Sequence, residues 1–95
     1  MPILQIEHPV RDFDAWKVAF DRDPIGRERG GVRRYRILRP IDDPNYVMVD
    51  LEFDNAGEAE AFRAALRHLW RRAEAEGLMH SARGRIVETV ESTEY

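Results

Sequence analysis

The sequence contains no cysteine. That excludes disulfide bridges, thiolate nucleophiles and any zinc or iron–sulfur site built on cysteine. Lysine is almost absent too: Lys17 stands alone beside 14 arginines. Arginine presents a rigid, planar fork suited to paired hydrogen bonds with carboxylates, and 18 acidic residues are present to meet it. There is no surplus of positive charge. The net charge is −3 and the isoelectric point about 5.6, which argues against a dedicated nucleic-acid binder with its basic footprint. Histidine occurs three times, at His8, His68 and His80. No two of them share the i, i+4 spacing of a helical metal-ligand pair, so no metal site is expected.

Long apolar runs are missing as well. No stretch approaches the roughly 20 apolar residues of a membrane span. The opening Met1-Pro-Ile-Leu-Gln-Ile-Glu-His8 has neither the basic start nor the apolar run of a secretory leader. A cytoplasmic protein with no membrane partner is therefore expected.

What is present reads as one domain spanning residues 1–95, with 43% hydrophobic and 35% charged residues. A chain this short buries a modest share of its surface, which favours extra stability from self-association. Ile3–His8 reads as a first strand, closed by Pro9. Asp12 is placed to cap a helix in which Phe13, Trp16, Ala19 and Phe20 share one side. Pro24 and Gly26 break that helix, and Gly30-Gly31 permit a turn into a second strand, Val32–Arg39. The run Pro40 to Asn45 is dense in turn formers. Tyr46–Phe53 alternates strictly: Val47, Val49, Leu51 and Phe53 on one face, Tyr46, Met48, Asp50 and Glu52 on the other.

Asn55 and Glu58 have the spacing of a capping box. Behind them Ala59, Phe62, Leu66, Leu69 and Ala73 form the apolar stripe of a second helix, with Arg63, Arg67 and Arg71 on a solvated side. Gly77 suits the C′ position of that helix, and Arg85–Glu91 reads as a final strand. The order is βαββαβ. Right-handed crossovers then predict an α+β, ferredoxin-like domain: a four-stranded antiparallel sheet of order 4-1-3-2 with both helices on one face.

Such a domain leaves one sheet face uncovered, carrying Met48, Asp50 and Glu52 beside Gln5 and Glu7. The second strand adds either Arg34 and Arg36 or Arg33, Tyr35 and Ile37, and the last strand is equally open. A one-residue slip exchanges these sets. The face is either charge-paired, in solvent or against a second copy, or it encloses a polar-lined cavity with that copy.

No motif fixes a reaction, but several side chains are candidates. An unperturbed histidine titrates near neutrality, so His8 and His80 are candidate general bases. Asp50 beside Glu52 could form an acid–base pair or simply ion-pair with Arg34 or Arg36. Trp16, Tyr35, Met48 and Trp70 are the candidate ligand-binding residues, with core packing as the alternative for the two indoles. His68 lies on the outer side of its helix. Exposed aromatics on strands one and three, as an RNA-binding sheet requires, are missing.

Two segments carry a family resemblance. Val10-Arg-Asp-Phe-Asp-Ala-Trp-Lys-Val-Ala-Phe-Asp21 resembles the first helix of the small dimeric α+β barrel proteins. Asp42-Asp-Pro-Asn-Tyr-Val-Met-Val-Asp-Leu-Glu-Phe-Asp54, running into Glu58–Phe62, resembles their hairpin, third strand and second helix. The group includes the antibiotic-biosynthesis monooxygenase-like family, and the likeness spans roughly residues 3–91. It implies a homodimer packed sheet to sheet, with a pocket between sheet and helices or inside the barrel. It also implies a cofactor-independent monooxygenase-like activity on a small aromatic substrate; a binding or structural dimer is the alternative. Many members carry a histidine near the start of the second helix, where this chain has Ala61-Phe62. A haem-degrading branch uses a Trp and a His ten residues apart, matched in spacing by Trp70 and His80, and an Asn on the first strand, where this chain has Gln5.

Overall fold

A computed structural model describes residues 1–75 and 81–95. Its elements are β1 (Ile3–Pro9), α1 (Phe13–Asp21), β2 (Arg34–Leu38), β3 (Tyr46–Glu52), α2 (Ala56–Ala75) and β4 (Arg83–Val87). The four strands form one antiparallel sheet in the order β2-β3-β1-β4, the expected order read from the other edge.

The sheet's two faces follow from its register. Leu4 lies opposite Leu51, Ile6 opposite Val49 and His8 opposite Val47. On these residues the helix-facing core is built, with Phe53, Ala59, Phe62, Val10 and Val32 completing it. Tyr35 pairs with Leu51 and Ile37 with Val49, so both lie on the helix side, while Arg34, Arg36 and Leu38 lie on the open side. On β4, Gly84 and Ile86 face the helices and Arg83, Arg85 and Val87 face away. Pairing thus resolves the register left open by the sequence.

Both flanking strands are displaced from their expected bounds. β4 begins at Arg83, opposite Glu7, and ends at Val87, opposite Ile3, instead of running from Arg85 to Glu91. The reason lies in its neighbour: beyond Ile3 comes Pro2, which has no N–H to donate to β4 and whose carbonyl accepts the Phe53 N–H at 3.0 Å. β2 is likewise shorter than Val32–Arg39. The Val32 N–H is held by the Arg27 carbonyl at 3.0 Å, which keeps that residue in the preceding turn.

The helix starts differ in quality. Asn55 Oδ1 accepts the Glu58 N–H at 2.8 Å, and its amide nitrogen donates to Glu58 Oε1 at 3.0 Å. The cap is reciprocal, but it closes side chain to side chain where a capping box returns to the backbone. Asp12 occupies the N-cap of α1 without a side-chain cap bond. The Glu58 carboxylate lies over Gly31, whose φ of +98° and lack of a Cβ admit it. The expected C′ residue of α2, Gly77, lies outside the described residues. Among the described residues no helix is long and apolar enough to cross a membrane.

Candidate functional site

α1 contributes no buried residue. Phe13, Trp16 and Phe20 are half-buried, pack against the edge of the core and stack along one another, with ring centroids 5.7 Å apart for the first pair and 5.1 Å for the second. The rack continues to Tyr35, 5.2 Å from Phe20. Facing it, α2 turns Phe62, Leu66, Leu69, Trp70 and Ala73 toward the same space. Gly84 lets the Trp70 indole down onto the sheet, since a Cβ there would lie 3.1 Å from its ring. The helices therefore stand apart, and between them and the sheet lies a cleft of about 540 Å³.

The floor of this cleft is Ile6, Val49, Leu51 and His8. His8 is the only buried polar side chain among the described residues, at 2% exposure. Its ring meets Trp16 edge-on at 6.1 Å. Nδ1 lies 3.0 Å from the Pro9 carbonyl. A carbonyl can only accept, so Nδ1 carries the proton and the basic lone pair belongs to Nε2.

Among the described residues, charge enters only at the ends of the cleft. At one end the Arg27 guanidinium lies 3.9 Å over the Phe20 ring, donates to the Phe20 carbonyl at 2.8 Å and pairs with Asp23 at 3.5 Å. Arg11, Asp12 and Arg72 line the other end.

The sequence candidates divide between the two faces of the sheet. His8, Trp16 and Trp70 come together in the cleft. Tyr35 lies at its outer edge, 45% exposed, against Phe20 and with Arg27 5.0 Å from its ring. Met48 and Asp50 lie on the open face. There Asp50 pairs with Arg36 at 3.0 Å and Glu52 with Arg34 at 3.3 Å. Tyr46 donates to Glu7 at 3.0 Å, and its half-burial and that carboxylate raise the phenol above its ordinary pKa. His68 is exposed; His80 lies outside the described residues. Arg63 departs from the solvated row expected for it: it is partly covered, paired with Glu60 at 3.2 Å and directed at the Gly84 carbonyl at 3.4 Å.

Phe20, Arg27, Arg11 and Arg72 were not singled out by the sequence. Only the alternation Leu4, Ile6, His8 signals a site, since it places a histidine on an otherwise apolar face. Gln5 and Trp70 lie on opposite sides of the sheet, so a haem-degrading arrangement of the two is not assembled. Among the described residues no three His, Cys, Asp or Glu side chains cluster as metal ligands.

A four-stranded antiparallel sheet with two helices on one face, and a cleft between them, defines a ferredoxin-like α+β protein. Solved structures carry the same fold. A "putative antibiotic biosynthesis monooxygenase" from Nitrosomonas europaea superposes with a TM-score of 0.69 at 21% identity, over 96% of this chain and 100% of its own. A protein of the same description from Deinococcus radiodurans gives 0.69 at 13% identity, over 100% and 98%. A dimeric ferredoxin-like protein from an uncultured marine organism gives 0.68 at 7% identity, over the full length of both chains. No family model and no curated protein matches the sequence. The chain thus has the ferredoxin-like fold of the antibiotic-biosynthesis monooxygenase-like proteins.

Proposed function

We propose that the cleft binds a small aromatic molecule and that the chain acts on it as a cofactor-independent, monooxygenase-like enzyme. The observation that carries this reading is the cleft itself. Protein interiors are close-packed, and unfilled apolar volume is destabilising. A space of about 540 Å³ falls within the ordinary range of small-molecule sites, which join apolar walls to a few fixed polar groups. Here the walls are aromatic and aliphatic, and the fixed polar group is His8.

In this reading His8 Nε2 takes a proton from an acidic methylene or hydroxyl of the substrate. The electron-rich anion then reduces dioxygen. For a methylene oxidised to a carbonyl, one oxygen atom enters the product and the other leaves as water. The four electrons come from the methylene carbon, so no further reductant is needed. Oxygen uptake by the purified protein with a panel of hydroxyarenes and quinols tests this. Uptake that His8→Leu abolishes supports it; absence of uptake across the panel contradicts it.

A binding-only role is the second reading. It is favoured by the lack of a second buried polar side chain among the described residues and by Ala61-Phe62 standing where many members of the family it resembles carry a histidine. Saturable binding without oxygen uptake would select it.

We also propose that the open face, with its Arg34–Glu52 and Arg36–Asp50 pairs and exposed Met48 and Leu38, packs on a second copy. Light scattering should give twice the 11.1 kDa chain mass. A mass of 11.1 kDa would leave that face in water and overturn the dimer.

A further inference from the structure

The two ends of the cleft differ in charge. At the Phe20 end, Arg27 and Asp23 neutralise each other at 3.5 Å. At the other end the topology gathers a different set. β1 runs toward His8 and Pro9, and Arg11 follows two residues on. β3 is antiparallel to β1, with Tyr46 opposite Pro9 and Glu52 opposite Ile3. α2 therefore starts at the Ile3 end and travels back. The helix from Ala56 to Arg72 rises roughly 24 Å, about the length of a seven-residue strand. Arg72 thus returns to the level of His8, across the cleft from Arg11.

Both arginines are exposed and line the cleft. Neither has a carboxylate within 4.0 Å among the described residues, unlike Arg33, Arg34 and Arg36 on the open face. Among the described residues Asp12 is the one acidic group lining that end, so there two guanidinium charges stand against one carboxylate. His8, the only buried polar side chain among the described residues, lies on the floor at that end.

We infer that the ligand is an aromatic oxyanion, an arene bearing a carboxylate or an ionised hydroxyl, held with its charged oxygen at the His8 end by Arg11 and Arg72. The inference rests on the cleft being a binding site and names the class of molecule it takes. Guanidinium groups match such oxygens geometrically, and charge-assisted hydrogen bonds are the stronger kind. The ring system then lies along the apolar wall of Trp16 and Phe20. If His8 removes a proton from a hydroxyl, the same guanidinium pair stabilises the charge that develops.

The chain's two tryptophans both line this cleft, so their emission reports occupancy. The test compares 1-naphthoate with its neutral isostere 1-naphthalenemethanol on wild type, on the double variant R11Q/R72Q, and on R67Q. Arg67 is exposed and does not line the cleft, so R67Q controls for the loss of a surface guanidinium outside it. The wild type should bind the carboxylate about tenfold tighter than the alcohol. The double variant should bring the two affinities together by weakening the carboxylate alone, and R67Q should leave the ratio intact. Equal affinities in the wild type, or a preference that survives R11Q/R72Q, would overturn the assignment while leaving the cleft a binding site. Failure of both compounds to bind would overturn the binding reading and this inference with it.

Discussion

Filling the cleft should stabilise the protein and destroy its binding. Ala73 is half-buried on α2 and faces the open space. Ala73→Leu adds three carbon atoms there. Each buried methylene contributes about 0.8 kcal/mol, and with roughly half the added surface removed from water the gain is about 1–1.5 kcal/mol. For a domain of this size, 1 kcal/mol moves Tm by about 4–8 °C, so Tm should rise by about 5–10 °C. Thermal unfolding followed by circular dichroism measures the shift, and tryptophan emission should show weaker binding of any hydroxyarene that the wild type takes. The opposite sign refutes the reasoning. Leucine forced into a filled core costs about 1–3 kcal/mol, so a lowered Tm would mean that α1 and α2 close on each other in solution.

Three other outcomes follow from the same packing. Leu4 is fully buried and does not line the cleft, so Leu4→Ala should cost about 2–5 kcal/mol in urea unfolding; a cost under 1 kcal/mol would contradict its place in the core. Asn55→Ala removes the α2 cap and should cost about 1 kcal/mol, whereas Asp12→Ala, which loses no cap bond, should cost less in the same assay. The raised Tyr46 phenol holds its proton to higher pH in the folded state than in the unfolded one. Its contribution to stability is therefore complete below about pH 10 and is lost as pH rises through the folded value. Ultraviolet titration should show one of the three tyrosines ionising late, and Tyr46→Phe should remove that step.

Much of this architecture was legible because its signals are periodic. The alternation of β3 and the three-and-four spacing of α2 fix both core faces, and the βαββαβ order allows few topologies. β2 and β4 were less legible, because arginines fall on both faces of β2 and apolar residues on both faces of β4. Only pairing decides them: Arg36 opposite Asp50, and Arg85 opposite Gln5. The strand ends were set by neighbours the local sequence does not contain. The cleft was least legible. Trp16 and Phe20 have the spacing of core residues, and nothing in that spacing states that α1 stands away from the sheet. Arg11 and Arg72 are 61 positions apart, and only the return of α2 along the sheet brings Arg72 to the end of β1 that Arg11 follows.

The most direct test of the central claim uses the two indole N–H signals in a proton–nitrogen correlation spectrum, recorded while a hydroxyarene is titrated in. Trp16 and Trp70 stand on opposite helices with the cleft between them. If that cleft is the binding site, both signals shift together and saturate with one affinity, and the His8 ring signals move with them. If they stay in place while the arene binds elsewhere, or no saturation is reached, the cleft is not the site and the functional reading fails.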